Sequence, residues 1–185
     1  MKLRQGNGTK RLVYGALMLA CAVLLPQVFH LTGGPALGAT FLPMHIPVLI
    51  SGLLLGPLYG TVIGLTAPAL SFLATGMPSA ERLPFMMAEL FVYGFACGFL
   101  SVRTKRIYPA LLSSMVLGRL AYAVSLAIAF YLLNMKETAP AAAWGALIKG
   151  LPGILLQIAI IPPVVYALRR YNLEGNNAKS KKAAQ

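Results

Sequence analysis

Six apolar runs, long enough to cross a bilayer as helices, constrain this chain more than any other feature. They cover residues 12–31, 41–58, the stretch from a turn at 56–60 to residue 75, then 84–102, 109–133 and 144–168. A span needs about 20 mostly apolar residues. In hydrocarbon a helix satisfies its own backbone N–H and C=O groups, which an open strand or a loop cannot. The expected fold is therefore all-α, an integral membrane protein of six transmembrane helices over 12–168. A basic tail of 1–11 precedes it and a basic, disordered tail of 169–185 follows. Only 11% of the residues are charged and 58% are hydrophobic; soluble domains carry about 25% charged residues. No small-x-small cleavage site follows the first run, which is expected to stay in the membrane as an anchor.

The net charge of +12 does not point to nucleic acid, because of where the basic residues lie. Lys2, Arg4, Lys10 and Arg11 precede the first run, and Arg103, Lys105 and Arg106 follow the fourth. Arg169, Arg170, Lys179, Lys181 and Lys182 follow the sixth. The connections at the opposite ends hold only Arg82 and Lys136. Basic residues gather on the cytoplasmic side of spans, beside an anionic leaflet. Both termini are thus expected in the cytosol, whereas five or seven spans would split the basic tails.

Prolines punctuate the runs. Pro43 and Pro47 are expected to interrupt the second helix, and Pro152, Pro162 and Pro163 to break the sixth; Pro68 falls inside the third. Thr32-Gly33-Gly34-Pro35 and Gly76-Met77-Pro78 mark connections.

A few polar side chains stand out against this background. The run through Phe85 and Leu100 holds one carboxylate, Glu89, and the fifth run one guanidinium, Arg119. An ionisable group in hydrocarbon costs about 3 kcal/mol or more unless it turns inward and finds a partner. At a rise of about 1.5 Å per residue, Glu89 and Lys149 fall below the outer ends of their helices, and Arg119 and Gln157 fall near mid-depth. The four fit a cavity that opens outward. Each carries two readings. Glu89 and Arg119 form a structural ion pair, contact a ligand directly, or do both. Lys149 snorkels to the headgroups or reaches the ligand. Gln157 bonds between helices or to the ligand. His45 packs, or it binds. Tyr93, Tyr122 and Trp144 belong to the core and the interface belt, or stack on a planar ring. With Lys149 inward the group carries one net positive charge, which favours an anionic ligand.

Other chemistry is poorly served. Cys21 and Cys97 sit inside apolar runs without metal-ligand spacing and are read as buried small hydrophobes. Aspartate is absent, and His30 and His45 flank a connection without carboxylates. No His-Glu-x-x-His zinc motif occurs, nor a Gly-x-x-x-x-Gly-Lys phosphate loop. An intramembrane enzyme is therefore not expected.

Four stretches give the chain a family likeness. The first helix follows a basic start and holds Ala16-Leu17-Met18-Leu19-Ala20. The second opens Leu42-Pro43-Met44-His45-Ile46-Pro47-Val48-Leu49 and leads into Gly52-Leu53-Leu54-Leu55-Gly56-Pro57. Phe72-Leu73-Ala74-Thr75-Gly76-Met77-Pro78 precedes the helix with Glu89. The sixth reads Leu151-Pro152-Gly153-Ile154-Leu155-Leu156-Gln157, after Gly118-Arg119 in the fifth. Over about residues 10–170 the chain resembles the substrate-binding subunit, or S component, of energy-coupling factor (ECF) vitamin transporters. The resemblance implies a prokaryotic plasma-membrane protein that captures a vitamin from outside and docks on a transmembrane coupling subunit. Two cytosolic ATPases drive that subunit, so ATP is used by partners and no cofactor is expected in this chain. The resemblance also makes Ala16 and Ala20 a smooth docking patch, where the bland alternative is packing inside the bundle. Gly60-x-x-x-Gly64 and Gly94-x-x-x-Gly98 are read as packing contacts only. Pantothenate is the leading ligand, with nicotinate or another carboxylated vitamin behind it. The rival readings are a structural multi-span protein of the MreD type and a free-standing secondary transporter.

Overall fold

A computed structural model describes residues 8–135 and 141–183, apart from the side chains of 35, 141 and 172–183. Lys2, Arg4, Lys136 and Glu137 lie outside the described residues, as do the side chains of Lys179, Lys181 and Lys182. The chain forms α1 (Gly8–Phe41), α2 (His45–Leu55), α3 (Pro57–Thr75), α4 (Leu83–Thr104), α5 (Ile107–Tyr131) and α6 (Ala141–Ala183). No strand occurs among the described residues.

α1 is two helical pieces. The backbone leaves the helix at Gly33 and Gly34, and Gly34 has a φ of 71°, a left-handed conformation that residues with a Cβ enter only at a cost. The piece after this break runs on toward α2. Six segments are then long and apolar enough to cross a membrane: Gly8–Gly34, Ala36–Leu55, Pro57–Thr75, Leu83–Thr104, Ile107–Tyr131 and Ala142–Tyr171.

The prolines do less damage than their positions predict. Pro43 precedes α2 and Pro47 sits in its first turn, where its missing N–H has no intrahelical partner to lose. Pro57 occupies the start of α3, a place pre-organised for its fixed φ, so Gly56 alone turns the chain. α6 continues through Pro152, Pro162 and Pro163 without the expected break. It also continues past Leu168 to Ala183, into the segment expected to be a disordered tail. No proline follows Pro163 to stop it.

α2 lies at the centre, buried from Pro47 through Leu55. Its core neighbours are Leu90, Tyr93 and Cys97 of α4, Leu111 and Met115 of α5, and Ile161 and Val165 of α6. α3 and α4 touch backbone to backbone at Gly60 and Gly94, where a Cβ on either would collide with the other's main chain. The glycine spacings read as packing contacts are just that.

A short helix ending inside a protein leaves carbonyls that need donors. At the C-terminal end of α2, Arg169 donates to the Leu53 carbonyl at 3.1 Å and Arg11 donates to that of Leu55 at 3.2 Å. The Arg11 guanidinium also lies 5.1 Å over the Tyr59 ring. This end of the bundle, where α4 finishes and α5 begins, also carries Arg103, Lys105 and Arg106. The opposite end holds the α1–α2 junction and the α3–α4 connection.

Candidate functional site

The site lies in the half of the bundle away from the basic end, where four helices each deliver a polar group. His45 is the first residue of α2, its ring 1% exposed. Glu89 and Tyr93 stand one turn apart on α4 and so share a face; they are 3% and 0% exposed. Arg119 comes from the middle of α5 and Gln157, fully buried, from α6. Four helices bring these into one cluster.

Glu89 holds it together. Its Oε1 is 3.0 Å from Nη1 of Arg119 and 3.6 Å from Nε2 of His45. The first distance is that of a charge-assisted contact, whereas the second is too long for a hydrogen bond. The His45 ring meets the Tyr93 ring edge-on, centroids 5.1 Å apart and planes at 87°. Tyr93 in turn rests on Gly118, whose missing side chain leaves room for the phenol ring. The Gln157 amide donates to the Leu42 carbonyl at 3.5 Å, and the backbone N–H of His45 donates to the same oxygen at 3.0 Å. Leu42 has a φ of 51°, costly for a bulky residue and a mark of a constrained position.

The hydrogen bonding of this cluster is incomplete. Among the described residues both ring nitrogens of His45, Nε and Nη2 of Arg119 and Oε1 of Gln157 are buried without a geometric hydrogen bond, and Oε1 of Glu89 has only its ion-pair contacts. Buried polar groups are nearly always paired, and exceptions call for a functional explanation. Here they converge from α2, α4, α5 and α6 on one place.

The remaining candidates separate from it. Tyr122 is half-buried and packs with Phe85, Leu126, Ala129 and Ala143 beside the cluster. Trp144 is 69% exposed, and Lys149 lies on an exposed face of α6. The net positive charge that counts Lys149 inward therefore does not describe the cluster: Glu89 and Arg119 balance. Ala16 and Ala20 are both exposed, among Leu12, Val13, Leu17 and Leu24, so packing inside the bundle is ruled out for them.

A family model described as the ECF transporter, substrate-specific component, matches residues 10–165. The chain belongs to this family. It is thus a substrate-binding subunit of a transporter, with six helices long and apolar enough to cross a membrane. No curated protein matches the chain, and no solved structure matches it.

In this S component three participants escape a reading of the sequence: the Leu42 carbonyl, Gly118 behind Tyr93, and Gly150. A Cβ on Gly150 would lie 2.9 Å from Nη2 of Arg119 and 3.0 Å from Cδ1 of Leu42. Gly150, Gly153 and Gln157 are the buried residues of this stretch of α6. A stripe of small residues ending in one amide was the available signal.

Proposed function

We propose that this S component captures a small carboxylate-bearing vitamin, pantothenate first among the candidates, and passes it to the cytosol with a coupling subunit and two ATPases. The observation that carries the reading is the buried, incompletely bonded cluster of His45, Glu89, Arg119 and Gln157. A carboxylate is favoured because Arg119 keeps donors unused while Glu89 occupies only Nη1. Tyr93, and Tyr122 beside it, would border the ligand.

The basic end of the bundle would face the cytosol of a prokaryotic cell, with both termini there. The cluster would then open to the outside. Ala16 and Ala20, small and exposed on α1, would let the coupling subunit's helices approach closely.

Mass spectrometry of the small molecules released from protein purified in mild detergent tests the reading. A vitamin with a carboxylate, close to one per chain, is expected. No bound vitamin, together with no calorimetric binding of any member of a vitamin panel, would overturn it.

A further inference from the structure

We propose that Glu89 stands in for the acid group of the ligand: on binding, the ligand's carboxylate takes its place on Arg119, and Glu89 with His45 takes up one proton. The inference rests on the carboxylate reading above and makes capture of the vitamin proton-linked.

The 3.0 Å contact of Glu89 Oε1 with Nη1 of Arg119 is already a carboxylate on a guanidinium. An incoming acid therefore needs no second opening beside Arg119; it needs the one that Glu89 fills. Among the described residues Oε1 has one other contact, Nε2 of His45 at 3.6 Å, which is too long for a hydrogen bond. Arg119 stays oriented when Glu89 leaves, because Tyr93 hydrogen-bonds it as well.

Charge balance calls for the proton. With His45 neutral, Glu89 and Arg119 sum to zero. The other titratable neighbours are Tyr93 on α4 and Tyr122 on α5, the second within reach of the Arg82 charge. α6 offers the uncharged Gln157 and turns Lys149 outward, and α3 carries no charged residue. On α1, Lys10 and Arg11 belong to the basic end, and His30 lies beside Gly38. A ligand carboxylate would bring the total to one negative charge where Glu89 and His45 are 3% and 1% exposed. Two carboxylates sharing one such site do not both stay ionised, and a buried charge without a partner neutralises instead. Histidine is the side chain that changes charge near neutral pH. At 3.6 Å from the carboxylate, it makes with Glu89 a coupled pair that gains the proton as a unit. The proton comes from the aqueous medium, and no other bond is made or broken.

Isothermal titration of the full chain in nanodiscs, in buffers of different ionisation enthalpy, counts that proton. The probes are pantothenate with pantothenol and nicotinate with nicotinamide. Wild type is expected to bind one of the acids with about one proton taken up between roughly pH 7 and 9, and none with its uncharged partner. Because uptake accompanies binding, affinity falls as pH rises, and the acid's Kd should grow about tenfold per pH unit. Glu89→Gln has the shape of the displaced, protonated side chain and no charge to neutralise. It should bind the same acid with less than about 0.3 proton and a Kd flat within about threefold, so that it outbinds wild type at the alkaline end. A purely structural pair gives the reverse, a Glu89→Gln variant weaker than wild type at every pH, and that result overturns the inference. So does a wild-type proton count near zero across the range, which decides alone if Glu89→Gln does not fold. Failure of both acids to bind overturns it too. A co-purifying vitamin without an acid group would sink this inference alone and leave the receptor reading in place.

Discussion

Removing one member of the Glu89–Arg119 pair should harm the protein more than removing both. The two side chains are 5% and 14% exposed, with Oε1 and Nη1 3.0 Å apart. Deleting one partner of a buried pair strands the other's charge and costs about 3–5 kcal/mol. Replacing both with apolar side chains of similar length is often neutral or better. Arg119→Met would leave the Glu89 carboxylate with His45 at 3.6 Å but without its counter-ion. Glu89→Met would leave a guanidinium without its counter-ion. A domain of this size loses about 2–4 °C of Tm per kcal/mol, so each single variant should melt roughly 10 °C below wild type. The double variant should melt within about 3 °C of it, which is a coupling energy of about 3 kcal/mol or more. Scanning fluorimetry in one detergent measures all four proteins side by side. Additive losses, with the double variant worse than either single one, would refute the idea that the pair is held as a unit in a poorly solvated place. Calorimetry on the same proteins separates structure from binding. A stable double variant that still takes up the vitamin at wild-type affinity would make the pair purely structural.

Three further outcomes are expected. Gly94→Val should cost about 1–3 kcal/mol by overpacking and lower the yield of folded protein, because its side chain meets Gly60 backbone that cannot rotate away; a Tm like wild type would contradict the packing described. Lys149→Ala and Trp144→Ala should change the vitamin's Kd less than about twofold, since both residues are exposed; a tenfold loss would place one of them on the ligand. Ala16→Trp with Ala20→Trp should abolish uptake in cells while leaving calorimetric binding intact, and undiminished uptake would refute docking on that face of α1.

Much of the fold was legible because lipid leaves a chain so few options. Six apolar runs in a chain of low charge become six long helices, and the polar residues that hydrocarbon penalises most, Glu89 and Arg119, turn inward and meet. What misled was proline. Its effect depends on whether the lost N–H had a partner, and Pro47 and Pro57 both stand at helix starts where it had none.

The buried polar cluster was legible in kind but not in phase. A helix exposed to lipid is apolar on every side, so the polar–apolar contrast that orients a soluble helix is missing. Lys149 and Gly150 are neighbours in sequence, and a helix turns about 100° between them; one faces out and the other faces Arg119. Charge drew attention to Lys149, the exposed member of that pair. The inward face of α6 is marked instead by absence of bulk, at Gly150 and Gly153, and by one amide, Gln157, seven residues beyond the first. The same logic orients α1, where Gly15, Ala22 and Pro26 are buried while Ala16 and Ala20 are exposed. In a span of this kind a small residue marks a place where something comes close, and whether that is a neighbouring backbone, an arginine or another subunit is decided by which face it occupies.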